Sequence, residues 1–280
     1  MKHLLTLLFV TFSLNAQDLQ PSAMLLQKGH IVKSTSNGKI YQLYVSLPVG
    51  YDADDFAKYP VLYVLDAYYS YPLLYSMHKL LDNSGDIERI IIVAVGDEDQ
   101  SNQQWLISRT LDYTPSSDSF ADTDIARGAG LDIFAIKSGG ARAFLKTIRE
   151  DIMPFIEKAY RTTADRGIAG HSLGGLFAGY CLLNEPDLFT RFGMSSPSFL
   201  WDRGEIINSL KFARIDSKAK IFISEGSLEP KVMSPFIKSF IDGIKDKNLS
   251  LTYHLFENET HASVMAASMS RMLRVLYSAK

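Results

Sequence analysis

A serine stands between two glycines in Gly170-His171-Ser172-Leu173-Gly174, each glycine two residues away from it. The short apolar run at 167–170 has the pattern of a buried strand, and Leu173, Leu176, Phe177 and Tyr180 have that of an amphipathic helix. In a strand–turn–helix context this spacing makes a sharp turn whose serine hydroxyl is exposed for attack on a carbonyl carbon. So tight a turn brings strand and helix close enough for side chains at 170 and 174 to collide, hence glycine at both. Gly170 and Gly175 also have the spacing of a phosphate-cradling loop, but Leu176 occupies the place of its lysine. The chemistry expected is nucleophilic acyl transfer.

A serine hydroxyl is a poor nucleophile at neutral pH and needs a base within hydrogen-bond reach. Six histidines are available: His3 lies at the N-terminus, His30 precedes the first strand, His78 falls on an early helix and His254 sits inside the last strand pattern. His171 neighbours Ser172, and at a tight turn its side chain is expected to point away from it. His261 remains, after Glu257-Asn258-Glu259-Thr260 and just before the last helix, where the chain order nucleophile, acid, histidine puts the base. A carboxylate must orient that imidazole and stabilise its cation. Glu229 is favoured, because Gly226 permits a turn that returns it toward the serine after strand Ile221-Phe222-Ile223, and Glu225 is the alternative acid. The oxyanion needs preorganised N–H donors. Leu173 offers one at a helix N-terminus, and Ala67 or Tyr68 the second, in the loop after strand Val61–Leu65 that Asp66 is expected to brace.

These residues need a scaffold, and the hydropathy pattern supplies one. Residues 28–48 alternate around Ser36-Asn37-Gly38-Lys39, an Asn-Gly hairpin signal that predicts antiparallel strands first. Apolar runs at 61–65, 90–95, 167–170, 192–194, 221–223 and 251–256 alternate with helical patterns at 72–81, 138–159, 173–184, 205–212, 233–246 and 263–277. The fold class expected is α/β: a mostly parallel central sheet with helices on both faces. Residues 97–137 break the alternation and are expected to form a long substrate-shaping loop.

The chain has 280 residues, 46% apolar and 21% charged, and a net charge of −2, the composition of a folded protein without the broad basic surface that nucleic acid requires. One cysteine, Cys181, excludes an internal disulfide framework and any Cys-rich metal site, and neither a metal nor another cofactor is expected. Met1-Lys2-His3, an apolar run at 4–14 and Ala16 have the anatomy of a cleaved signal peptide at 1–16. The reading is therefore one domain over 17–280, periplasmic or secreted, with no stable membrane insertion.

Taken together, several segments resemble the bacterial putative esterase family of α/β-hydrolases. They are Tyr59 to Ala67, Arg109 to Pro115, Phe144 to Thr162, Gly170 to Gly175, Ser195-Ser-Pro-Ser198 with Trp201-Asp202, and Glu259-Thr-His261. That family includes siderophore esterases, S-formylglutathione hydrolases, feruloyl and acetyl-xylan esterases, and mycolyltransferases. The resemblance implies Ser172 as nucleophile, His261 as base and a Glu229 acid, although some relatives work with a Ser–His pair. Ala67 stands where many relatives carry glycine. The expected function is hydrolysis of a small-molecule ester, such as a siderophore, aryl or acyl-sugar ester. The alternatives are acyl transfer to an alcohol and an inactive binding protein of the same fold. Trp201 and Arg109 are the candidate substrate contacts, with Arg127 as a further cation in the long loop.

Overall fold

A computed structural model describes residues 29–279 except 52–55, 100, 214, 216–218, 246 and 248. The predicted signal peptide therefore lies outside the described residues. The Asn-Gly turn joins β1 (His30–Lys33) to β2 (Ile40–Ser46), with Gly38 at φ 73° and Ser34 N–H donating to Lys39 O at 2.8 Å. The other strands are β3 (Tyr59–Val64), β4 (Ile91–Asp97), β5 (Thr162–His171), β6 (Arg191–Ser195), β7 (Lys220–Gly226) and β8 (Ser250–Phe256). They form one sheet in the order β1-β2-β4-β3-β5-β6-β7-β8, antiparallel at β1/β2 and β2/β4 and parallel from β4 to β8.

The helices are α1 (Ala67–Ser84), α2 (Asn102–Tyr113), α3 (Ser119–Gly128), α4 (Ala141–Thr147), α5 (Met153–Ala159), α6 (Leu173–Asn184), α7 (Trp201–Ser209), α8 (Met233–Ile244) and α9 (Val264–Leu276). Along β3, Val61, Tyr63 and Leu65 enter one core cluster, while Leu62 and Val64 enter the other. The first contains Phe144, Ile156, Phe177 and Phe240 from α4, α5, α6 and α8, and the second Leu74, Met269 and Leu273 from α1 and α9. A strand covered on both faces has no solvent side, which explains the continuous apolar runs. Among the described residues no helix is long and apolar enough to cross a membrane.

Three departures from the sequence pattern have local causes. The expected helix 138–159 is interrupted by a π-helical turn at Ile148–Ile152, where Met153 N–H reaches Ile148 O. Pro154 can give no N–H to the ladder, and the wider turn makes room for its ring. Helix α1 begins at Ala67, five residues before Pro72, so Ala67 and Tyr68 lie in a helical first turn rather than a loop. The stretch 97–137 is not an irregular loop: it contains α2 and α3, capped by Ser101 Oγ on Gln104 N–H and by Asp118 Oδ1 on Phe120 and Ala121 N–H.

His78 is a core histidine, fully buried on α1 with Nδ1 2.9 Å from Ser46 Oγ. Burial, helped by the Lys79 charge, pushes its pKa from 6.5 down to about 4. The unfolded chain thus takes up a proton that the folded chain refuses, and stability falls as pH drops through that window, by up to about 3 kcal/mol. Urea midpoints should therefore decrease from pH 7.5 to 4.5, and decrease less in His78→Gln. Equal decreases in both proteins would contradict this account.

Candidate active site

The turn at the end of β5 holds Ser172 at φ 60°, ψ −118°, a region that a serine enters only when its neighbours enforce it. A Cβ on Gly170 would come within 2.5 Å of Gly174 C, so the strand-to-helix approach is backbone on backbone. A Cβ on Gly174 would meet Asp66 Oδ2 at 3.2 Å and Leu65 Cβ at 3.5 Å, which puts the start of α6 against the end of β3. Ser172 N–H donates to Ser195 O and Ser198 N–H to Ser172 O, each at 3.0 Å, so the end of β6 and the loop after it clamp the serine on both sides.

His261 follows β8 with its Nε2 3.0 Å from Ser172 Oγ and its Nδ1 3.0 Å from Glu229 Oε2. Glu229 is reached by the turn expected at Gly226: a Cβ there would lie 2.3 Å from Glu259 O, so the loops after β7 and β8 are in contact. The carboxylate also accepts from Gly226 N–H at 2.7 Å and from the Ser196 hydroxyl. Burial alone would raise its pKa, but the hydrogen bonds from His261, Ser196 and Gly226 outweigh it and hold Glu229 below the usual carboxylate range. An ionised carboxylate only accepts, so Nδ1 carries the imidazole proton and Nε2 is left to accept from the serine. Glu225 is turned elsewhere, bonded to Ser234 Oγ at 3.0 Å and Tyr253 OH at 2.5 Å.

Leu173 opens α6, and the first bond inside that helix is Leu176 N–H to Ser172 O, so Leu173 N–H precedes the ladder. Ala67 and Tyr68 stand likewise before the first bonds of α1, which run from Tyr69 and Ser70 N–H to Asp66 O. The start of α1 approaches α6 through Asp66 and Gly174, and both helix N-termini carry N–H groups and dipoles suited to a negative oxygen.

Arg109, expected as a substrate contact, lines the groove at Ser172 and is also paired inside the protein. It is buried on α2, with Nε and Nη2 2.9 and 3.1 Å from the two oxygens of Asp66, and it donates to His171 O at 3.3 Å. Burial opposes its charge, and pairing with Asp66 more than restores it. Trp105 Nε1 completes the Asp66 shell at 2.9 Å, and Asp66 itself is left-handed at φ 56°. Arg109 therefore braces the segment that carries Ala67 and Tyr68, with its charge neutralised. Arg127 is exposed at the end of α3 and does not line the groove.

A groove of about 420 Å³ opens onto Ser172, walled by Leu106, Ile125, Leu200, Trp201 and Arg203 among others. Trp201 is buried, and its Nε1 donates to Ser116 O at 3.1 Å, tying α7 to the α2–α3 connection. Immediately after it, Asp202, Arg203 and Gly204 run left-handed at φ 47°, 57° and 81°, and a Cβ at Gly204 would strike Phe236 at 2.6 Å. Two contacts at the site have no signal in the sequence: Ser198 Oγ at 3.1 Å from Ser172 Oγ, and His171 Nε2 at 2.7 Å from His261 O. Among the described residues no cluster of three or more His, Cys, Asp or Glu is placed to hold a metal ion.

Residues 34–236 match the family described as "Putative esterase". The chain belongs to this family. It is 32% identical over 148 residues to the ferri-bacillibactin esterase BesA of Bacillus subtilis, covering 49% of this chain and 51% of that protein. It is 30% identical over 200 residues to the apo-salmochelin esterase of Escherichia coli O6:H1, covering 65% and 59%. The chain thus spans about half to three-fifths of the length of these two relatives. The crystal structure of the BES protein from Bacillus cereus superposes with a TM-score of 0.72 at 27% identity, covering 89% of this chain and 95% of that one. The fold of this putative esterase is that of the α/β-hydrolases.

Removing one member of the Asp66–Arg109 pair leaves the other charge buried. Arg109→Met is expected to lower stability in urea by about 3–5 kcal/mol, and a loss below about 1 kcal/mol would show that the pair is not the brace described.

Proposed function

We propose that the protein is an exported serine esterase that hydrolyses small-molecule carboxylic esters, with a siderophore ester as the substrate class suggested by the names of its relatives. The observation that supports this best is the unbroken chain of 3.0 Å contacts from Ser172 Oγ through His261 to Glu229 Oε2. In this mechanism His261 Nε2 takes the hydroxyl proton as Ser172 Oγ attacks the ester carbonyl. The tetrahedral oxyanion is held by Leu173 N–H and by an N–H of Ala67 or Tyr68, in a site where preorganised donors count for more than they do in water. Glu229 stabilises the imidazolium without taking its proton. The imidazolium protonates the departing alkoxide, a water delivers its proton to the same Nε2 while attacking the acyl-enzyme, and Ser172 is regenerated.

The groove lined by Leu106, Ile125 and Trp201 is suited to the apolar or aryl part of the ester, which makes α2 and α3 the substrate-shaping elements of this reading. Export rests on the leader pattern at 1–16, so the mature protein is expected to start at Gln17.

Hydrolysis of p-nitrophenyl esters from acetate to octanoate should fall at least about a thousandfold in Ser172→Ala and in His261→Ala with the melting temperature unchanged. Unchanged turnover in Ser172→Ala would overturn the proposal. The two candidate acids separate in the same assay: Glu229→Ala should lose about a hundredfold or more, and Glu225→Ala should stay within a few-fold of wild type. Glu229, held below the usual carboxylate range, should stay ionised as the pH is lowered into the mildly acidic range, so its own protonation should not limit activity there.

A further inference from the structure

We infer that His171 is a positioning residue for His261: its Nε2–H grips the main-chain oxygen of His261 and so sets the distance from that imidazole to Ser172. The inference rests on the esterase reading above. It starts from a hydrogen bond whose direction is unambiguous. The acceptor, His261 O, is a carbonyl that cannot donate, so the proton in the 2.7 Å contact belongs to His171 Nε2.

The placement of the two ends gives this bond its meaning. His171 is the last residue of β5, paired in the sheet with Ser195 of β6, and its successor is Ser172. His261 lies between β8 and α9, on a segment joined to the β7 loop through Leu228 N–H to Glu259 O and Ser227 N–H to Phe256 O, each at 2.9 Å. Those bonds reference the segment to Glu229, not to the nucleophile. The His171 bond crosses from the nucleophile's own strand to the base's own peptide, with the two rings 4.7 Å apart. The base is thereby fixed at two points, its ring by Glu229 and its backbone by His171.

The charge state of the grip matters as much as its geometry. Three charged or titratable groups face His171: His261 from the β8–α9 segment, Arg109 from α2 and Asp66 from the β3–α1 junction. Burial, then the His261 and Arg109 side chains, outweigh Asp66 and the hydrogen bond to His261 O and hold the His171 pKa down at about 4. Between pH 5 and 9 the residue is therefore a neutral donor. A lysine or arginine could donate to the same oxygen, but would set a fixed positive charge beside an imidazole that must become a cation in the reaction. An uncharged ring that donates from its far nitrogen meets both requirements.

Two variants separate the grip from mere packing: His171→Phe keeps the ring and removes the donor, and His171→Gln restores an uncharged N–H at similar reach. With p-nitrophenyl butyrate, His171→Phe is expected to lower kcat about 10- to 100-fold with KM within about twofold. Labelling of Ser172 by a fluorophosphonate should slow in parallel, and His171→Gln should recover most of both losses. An unchanged kcat in His171→Phe, or a His171→Gln as slow as His171→Phe, would overturn the inference. Should neither variant fold, nitrogen-15 NMR of the wild-type imidazoles decides: the Nε2-protonated neutral form of His171 from pH 5 to 9 supports the grip, and an Nδ1-protonated or charged ring at pH 7 refutes it. Full activity in Ser172→Ala would instead strike the esterase reading, so the two failures are distinguishable.

Discussion

A side chain at Gly170 would drive its first carbon to 2.5 Å from the backbone of Gly174, and the geometry of the site follows from that contact. Only without side chains there can β5 turn into α6 within one residue, and that residue is Ser172 at positive φ. Such a conformation costs on the order of 1–3 kcal/mol and persists where the surroundings over-determine it. Here they do: the main chain of Ser172 is bonded on one side to Ser195 and on the other to Ser198. The turn points the hydroxyl out of the sheet's carboxyl edge and leaves the α6 N–H groups directly behind it.

Every other member of the site comes from the same edge of the sheet. Asp66, Ser196, Glu229 and His261 follow the C-terminal ends of β3, β6, β7 and β8, the place where open parallel sheets put their ligand crevices. Polar groups gathered at such an edge must be paired with one another or they destabilise the fold. Asp66 is satisfied by Arg109 and Trp105, and Glu229 by His261, Ser196 and Gly226. The pairings bind the loops to one another, so the same bonds that stabilise the edge also align Ser172, His261 and the first N–H groups of α1 and α6.

The strands were legible because burial on both faces leaves unbroken apolar runs, and the grouping of Ser172, His261 and Glu229 because few residue types at few positions could meet in this way. What escaped depended on partners distant in the chain. Helix α2 turns Ser108, Arg109, Thr110 and Asp112 inward, so it lacks the apolar stripe that marks a helix, and its polar face is satisfied by groups such as Asp66 forty-three positions away. Its capping pair, Ser101 with Gln104, was the readable signal. Pro72 invited a helix start at the proline, whereas the left-handed Asp66 begins it earlier. His171 was expected to face away from the serine. Its bond to His261 O joins residues ninety apart and has no local signature.

The left-handed run Asp202–Gly204 in the groove wall stores conformational energy in a surface open to ligand. Two contacts hold it in place: the indole of Trp201 on the Ser116 carbonyl, and the close approach of Gly204 to Phe236. Selection for folding stability alone would relax such a run, since glycine at 202 or 203 would relieve the strain without touching the sheet. The run therefore sets folding stability against groove shape. Glycine at these positions would reshape the groove wall while leaving the packing of the sheet as it is.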